Sequence, residues 1–332
     1  GGGGPAGLVT ALYAVRAGLE VAVVERRPGV LDKACGEGMM PHTLEHLALL
    51  GVTPRGRRLN GITYLDGHRR VDATFRAAPG LGVRRTVLHA ALRDAADIAG
   101  VRLVHGDVGD VTQDSTSVRV GEVRARYLAA ADGLHSPIRR ALGLSQPCRG
   151  PRRWGIRRHV RIAPWTDSVE VHWGSGAEAY VTPVADDCVG IAILGSTRGG
   201  FDSHLEEFPA LMTRIRGRPH GPDRAAGPLR QKARSRTAGR VMLVGDAAGY
   251  VDALTGEGMG LAFGAAKHLV DCVVADRPGD YDRKWRRETR RHRALTSALV
   301  LAGSRAPIRA RIVPAATAVP RVFATAVNQL AY

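Results

Sequence analysis

Apolar and polar positions alternate along the first part of the chain in two rhythms. After the run Gly1-Gly2-Gly3-Gly4-Pro5-Ala6-Gly7, residues 8–17 space their small and apolar side chains as a helix does. Residues 19–25 then form a nearly continuous apolar strand closed by Glu25. Glycine loop, helix and strand in this order are part of a βαβ unit, and the pattern predicts a further short apolar strand ahead of Gly1. A polar, glycine-rich link over 26–40 leads to a helix at 41–50 and short strands at 62–65 and 69–75. A helix at 85–98 precedes a strand at 101–105, and 117–123 with 126–131 reads as a hairpin-like pair ending at Asp132-Gly133.

From 154 to 194 the rhythm changes to period two. Residues 155–162, 169–173, 178–182 and 189–194 predict one antiparallel sheet that serves as a platform. Helical spacing returns at 203–216, a strand at 240–244 runs into Gly245-Asp246, and a long helix starts near Gly258. Residues 280–301 read as another helix, whereas the Ala/Val/Pro-rich tail from Ile312 predicts nothing definite.

Three motifs carry chemistry. Gly2-x-Gly4-x-x-Gly7, with Pro5 and Ala6 inside it, fits a dinucleotide fingerprint: glycines allow the tight turn and the close approach of backbone to a diphosphate, and the next helix aims its N-terminus there. Glu25, followed by Arg26, ends the second strand where a carboxylate accepts ribose hydroxyls, which favours FAD or NAD over a 2′-phosphorylated nucleotide. The second motif is Asp132-Gly133-Leu134-His135-Ser136-Pro137-Ile138-Arg139. The third is Gly245-Asp246-Ala247-Ala248, followed by Thr255-Gly256-Glu257-Gly258-Met259-Gly260.

In this order the motifs resemble the para-hydroxybenzoate hydroxylase superfamily of FAD-dependent oxidoreductases, and within it the geranylgeranyl reductase-like branch. The likeness runs from Gly2 to about Val273. It implies that Asp246 bonds the ribityl chain of FAD, that Asp132 and Gly133 lie near the diphosphate, and that Arg85 leans toward it. Ala34-Cys35-Gly36-Glu37 is similar to the Cys-Gly segment of that branch, which passes close to the flavin ring. Gly256, Gly258, Met259 and Gly260 are expected against the flavin, with the helix from Gly258 pointing its positive end at the ring. Ala253 departs from the proline common in relatives.

The implied fold class is α/β: an FAD-binding Rossmann-like domain of glutathione-reductase type, an inserted antiparallel-sheet substrate domain and a C-terminal helical segment. The expected FAD-binding domain is discontinuous, over 1–60, 80–148 and 230–280. The substrate domain takes 61–79 and 149–229, and the helical region 281–332. Candidate acids and bases are Glu37, His159, His172 and Tyr180, with Trp154, Arg158 and Trp173 as further cavity-lining positions.

Composition narrows the choice. The 332 residues carry a formal net charge of +17, almost all of it from arginine, with no nucleic-acid motif, so nucleic acid is not expected as a partner. The densest basic run, Arg283 to Arg293, reads as a solvated helix face or as a membrane-surface patch, giving a cytoplasmic protein that in the second case sits peripherally at a membrane. Cys35, Cys148, Cys188 and Cys272 form no metal or disulfide pattern, and no metal is expected.

The first reading is an NAD(P)H-dependent monooxygenase of an apolar aromatic or polyketide-like substrate, with NADPH or NADH as transient reductant. The alternative is a geranylgeranyl reductase-like enzyme that reduces prenyl double bonds. Behind these stand a flavin-dependent halogenase, disfavoured because no two tryptophans lie two apart, and a non-catalytic FAD-containing basic protein. Oligomeric state is not legible.

Overall fold

The computed structural model describes residues 1–331; Tyr332, the last position of the expected helical region, lies outside the described residues. Pro5 opens the first helix, Pro5–Arg16, at a position where its missing N–H has no intrahelical partner to lose. The buried face of this helix consists mostly of small and aliphatic residues, Gly7, Leu8, Val9, Ala11 and Leu12 among them. It therefore packs closely on helices Arg85–Ile98 and Gly258–Val274.

Beside it, strand Ala22–Glu25 pairs in parallel with Arg102–His105, and Leu128–Ala130 pairs in parallel with Val241–Leu243. The glycine loop joins the two pairs: the Gly2 N–H donates to the Val24 carbonyl at 2.8 Å, and the Ala131 N–H donates to the Gly1 carbonyl at 2.7 Å. An apolar groove of about 230 Å³ next to Gly1 is lined by Val21, Val23, Leu128 and Leu269. The core of this layer holds Leu8, Leu92, Met242, Leu243 and Phe263, each fully buried.

The platform is a seven-stranded sheet. Its order is Arg224–Ala226, Trp154–Arg161, Cys188–Gly195, Ala177–Ala185, Val169–Trp173, Gly61–Leu65 and Arg70–Thr74, and the only parallel pair is Val169–Trp173 with Gly61–Leu65. Alternation along the strands separates two faces. Tyr180, Ala192, Leu194, Val169 and Val171 share one apolar cluster with Met40 and Leu134 from the flavin-loop side. Ala179, Val181, Ile191 and Ile193 pack on the other side against Phe201, Leu205, Phe208 and Leu211.

Two expectations need correction, and the tail takes the helical form expected of the C-terminal region. The hairpin lies one step earlier than the sequence suggests: Val118–Val120 pairs with Val123–Ala125, and Leu128–Ala130 leaves for the parallel pair with Val241–Leu243. Alternation alone could not choose the partner, because both segments carry the same period. The helix expected at 203–216 is two, Phe201–Leu205 and Pro209–Ile215. Pro209 drives Phe208 out of helical geometry, to φ −126° and ψ 68°. The tail is helical, as Ala306–Arg309, Ile312–Ala318 and Pro320–Ala331, and the last of these lies against strand Arg70–Thr74.

Candidate flavin and substrate site

The glycine loop leaves backbone exposed where side chains would collide. Gly2 sits at φ +101°, and a Cβ there would stand 2.4 Å from the Ala131 carbonyl oxygen; at Gly7 it would stand 1.9 Å from that of Gly2. At Gly4 a Cβ would meet only the Arg85 guanidinium, 3.8 Å away. Arg85 is half-buried, its buried Nε has no hydrogen-bond partner, and desolvation lowers its pKa against the attraction of Cys35, Asp246 and Glu37. A guanidinium with an unpartnered, buried Nε that faces open glycine backbone and the start of helix Pro5–Arg16 could hold a diphosphate.

Glu25 extends the same edge. Its Oε2 accepts the Gly3 N–H at 2.8 Å and its Oε1 accepts the Arg27 N–H and Nε at 3.1 and 3.0 Å. Burial alone would raise its pKa, but these bonds lower it, so the carboxylate stays ionised. Arg26 points outward, 3.9 Å from Asp107. Asp132 turns to its own chain: its Oδ2 accepts from Ser136 and the Ile138 N–H, at 2.8 and 3.0 Å, while its buried Oδ1 is unpartnered. Gly133 follows at φ +87°. Arg139 then ties this segment to the third motif by donating to the Asp246, Ala247 and Leu134 carbonyls.

Gly245 and Asp246 begin the turn Gly245–Ala248 at the end of strand Val241–Leu243. The Asp246 carboxylate accepts from Lys33 Nζ at 3.1 Å. Sequence reasoning passed over Lys33, whose only trace is a cation just ahead of Cys35-Gly36. Gly256 lies near Met40, half-buried Met259 follows Gly258 at the helix start, and Gly260 packs on His42 and Thr43 of helix Pro41–Leu49. Glu257 is a second omission: buried, it places Oε2 2.8 Å from His292 Nδ1, and His292 Nε2 lies 3.1 Å from Thr296 Oγ1.

Two of the four candidate acids and bases are brought together. Glu37 Oε2 is 2.6 Å from His159 Nε2, and its Oε1 accepts the Arg85 N–H at 2.7 Å. His159 Nδ1 lies 3.0 Å from Arg157, which in turn binds Asp32. Glu37 holds φ at +61°, a strained value for a residue with a side chain. Beside it, Cys35 Sγ accepts the Glu37 N–H at 3.4 Å, burial pushes the thiol pKa up, and Thr182 donates to the Gly36 carbonyl at 2.8 Å.

Tyr180 is buried on the apolar face and donates to the Leu254 carbonyl at 3.0 Å. Burial, reinforced by Glu178, holds its pKa well above the ordinary phenol value. His172 and Arg158 alternate onto the opposite face of the sheet, His172 against Glu170 at 3.2 Å and Arg158 against Asp202 and Asp223. Trp173 stays on the apolar face, where its Nε1 is unpartnered, and Phe323 of the last helix stacks on Tyr64 at 4.7 Å. Buried Trp154 Nε1 is unpartnered as well.

A glycine-loop nucleotide fold with a late Gly-Asp turn, and beside the loop a guanidinium and an ionised carboxylate that could hold a diphosphate and a ribose, define a flavin-dependent oxidoreductase. The family described as FAD binding domain matches residues 2–202, and the chain belongs to it. Among curated relatives, a menaquinone reductase of Mycobacterium tuberculosis is 30% identical, covering 78% of this chain and 71% of its own. A digeranylgeranylglycerophospholipid reductase 1 of Methanothermobacter thermautotrophicus is 28% identical over 86% and 81%.

Two solved structures share the fold. The flavin-dependent halogenase CmlS has a TM-score of 0.78 at 22% identity, covering 89% of this chain and 62% of its own. A geranylgeranyl bacteriochlorophyll reductase-like protein of Thermoplasma acidophilum has 0.76 at 20%, over 90% and 85%.

Proposed function

We propose that this flavoprotein reduces carbon–carbon double bonds of an isoprenoid chain, the second activity suggested by the sequence, with NADPH or NADH as transient reductant. The reductase relatives, at 28 to 30% identity, carry this reading. Hydroxylation, the first reading, draws on shared fold alone. When bound, FAD supplies the two electrons of the reduction. The chain must then provide a dry slot for the hydrocarbon and a proton for the second carbon. The apolar sheet face around Val171, Tyr180, Leu194 and Trp173 serves as the slot, and the Glu37–His159 pair, backed by Arg157, holds the proton.

Protein reduced with NADPH under argon is incubated with a geranylgeranyl lipid, or with menaquinone whose ring is reoxidised before analysis, and the product is weighed by mass spectrometry. A gain of two hydrogens is expected. A product that forms only in air and gains one oxygen would replace the proposal with hydroxylation.

An isoprenoid substrate also calls for access from a lipid surface. Among the described residues, five of ten exposed large hydrophobics lie in the C-terminal region, Leu295, Leu301, Ile308 and Val322 in its helices and Val319 at the bend between the last two. Residues 289–331 contain no Asp or Glu but several arginines. This supports peripheral contact with an anionic membrane, and no described helix is long and apolar enough to cross one.

The basic run expected to provide the contact is partly spent inside the protein. Arg283 and Arg286 pair with Asp280 and Asp282, and Arg291 bonds Gln329, so Arg287 and Arg290 remain as its exposed cations.

A further inference from the structure

We propose a second anion site, for the phosphate group of a phosphate ester, in the crevice between helix Asp280–Gly303 and residues 230–236, with Arg293 at its centre. Trp285, Thr289, Arg293 and Ser297 recur every four residues and so share one stripe of that helix. Residues 230–236 run antiparallel along the stripe. Arg230 donates to Ser297 Oγ at 3.1 Å, Arg286 donates to the Arg234 carbonyl at 2.9 Å, and the Arg236 N–H donates to Asp282 at 3.0 Å.

Arg293 falls in the middle. A Cβ on Gly249 would stand 3.8 Å from its Nη1 and 3.3 Å from the Gln231 carbonyl oxygen, which puts the guanidinium beside both residues. The guanidinium carbons of Arg236 and Arg293 lie 3.9 and 5.0 Å from the centre of the Trp285 ring.

Arg236 and Arg293 thus face one tryptophan, and Arg230 and Arg286 are the further cations whose charge acts on Arg293. The carboxylate among them, Asp282, is engaged by Arg236 and Arg286. Among the described residues Arg293 has no hydrogen-bond or ion-pair partner. Burial, then Arg236, Arg230 and Arg286, hold its pKa down to about 10, the mark of a cation short of counter-charge. A cavity of about 40 Å³ adjoins it, lined by Gly249, Tyr250, Trp285, Thr289 and His292 and reaching Asp246 and Asp252, whose carboxylates are already paired with Lys33 and Arg153.

At about 10–15 Å³ per water, that is room for a few waters or for one phosphate group in their place, the rest of the ligand extending along the open crevice. Guanidinium forks match phosphate oxygens in pairs, and a dianion would offset the mutual repulsion of the arginines. Both a nucleotide 2′-phosphate and a diphosphate substrate headgroup have this chemistry.

The full-length protein is titrated with sodium pyrophosphate at constant ionic strength, following tryptophan fluorescence and the heat of binding. Saturable binding is expected, with a fluorescence change lost in Trp285→Phe while the heat remains. Arg293→Gln should weaken binding tenfold or more, whereas Arg283→Gln, in an exposed ion pair, leaves it unchanged. Arg230→Gln provides the same test should the Arg293 variant fold poorly.

Absence of saturable binding, or equal affinity in both the Arg293 and Arg230 variants, would overturn the site. Displacement of pyrophosphate by 2′,5′-ADP assigns the site to a nucleotide, and displacement by an alkyl diphosphate alone assigns it to a substrate headgroup. Displacement by neither overturns the proposal of a phosphate ester.

Discussion

Arg85 shows how much a single side chain can reveal about a ligand. A guanidinium whose buried Nε lacks a bonded partner costs stability unless a ligand meets it, and the open side of Gly4 is where a diphosphate would do so. Arg85→Gln should therefore weaken FAD binding by roughly 1.5–3 kcal/mol, about ten- to a hundredfold, in a flavin-fluorescence titration of apoprotein. Its thermal midpoint without FAD should not fall; a drop would mean the arginine is structural. Asp246→Ala should likewise lower FAD occupancy as purified, and full retention of flavin would remove Asp246 from the site. For the Glu37–His159 pair, Glu37→Gln should slow turnover at least tenfold with flavin content intact, as expected when a positioned proton donor is lost. Unchanged turnover would assign the pair to holding the strained loop at Glu37.

At the scale of elements, helix Asp280–Gly303 is pinned by Asp282, which accepts from Arg236 and Arg286. Burial would raise the Asp282 pKa, but the two arginines lower it overall. A carboxyl with a depressed folded-state pKa stabilises above its unfolded value, near 4, and loses that contribution as pH falls through the folded value. The difference in thermal midpoint between the protein and Asp282→Asn should thus be largest near about pH 6 and shrink toward about pH 3. A constant difference would mean that packing, not charge, is lost. Elements with strong periodicity were legible in the sequence: helix Arg85–Ile98 begins and ends where its pattern does. The hairpin at 118–125 and the break at Pro209 were misread because partner choice and a single proline override period. The tail was opaque because its alanines and valines acquire a direction only by packing on strand Arg70–Thr74, where Asn328 bonds Arg76 N–H and the Thr74 carbonyl. The site divides in the same way. Gly2, Glu25 and Asp246 stand in motifs with fixed spacing, whereas Glu37 with His159, Lys33 with Asp246 and Glu257 with His292 are joined only by the fold.

Across the whole molecule, a net charge of +17 is not evenly compensated. The C-terminal helices combine exposed Leu301 and Val322 with exposed arginines on a stretch free of carboxylates, next to the helix that closes the apolar sheet face. Each arginine near an anionic bilayer contributes about 1 kcal/mol, and inserted apolar side chains add to it. The protein should therefore sediment with phosphatidylglycerol vesicles and not with phosphatidylcholine vesicles, and release as salt shortens the Debye length. Replacing Arg287 and Arg290 by glutamine should cost about 2 kcal/mol, some thirtyfold in partitioning. Leu301→Asp with Val322→Asp should weaken partitioning while a short, detergent-soluble isoprenoid is still turned over. Equal binding to both vesicle types would show a face that is merely sticky, and no binding would return the exposed arginines to an ordinary solvated surface. A loss of soluble-substrate turnover in the aspartate pair would instead tie those helices to closure of the slot, because Phe323 reaches Tyr64 from the helix that bears Val322.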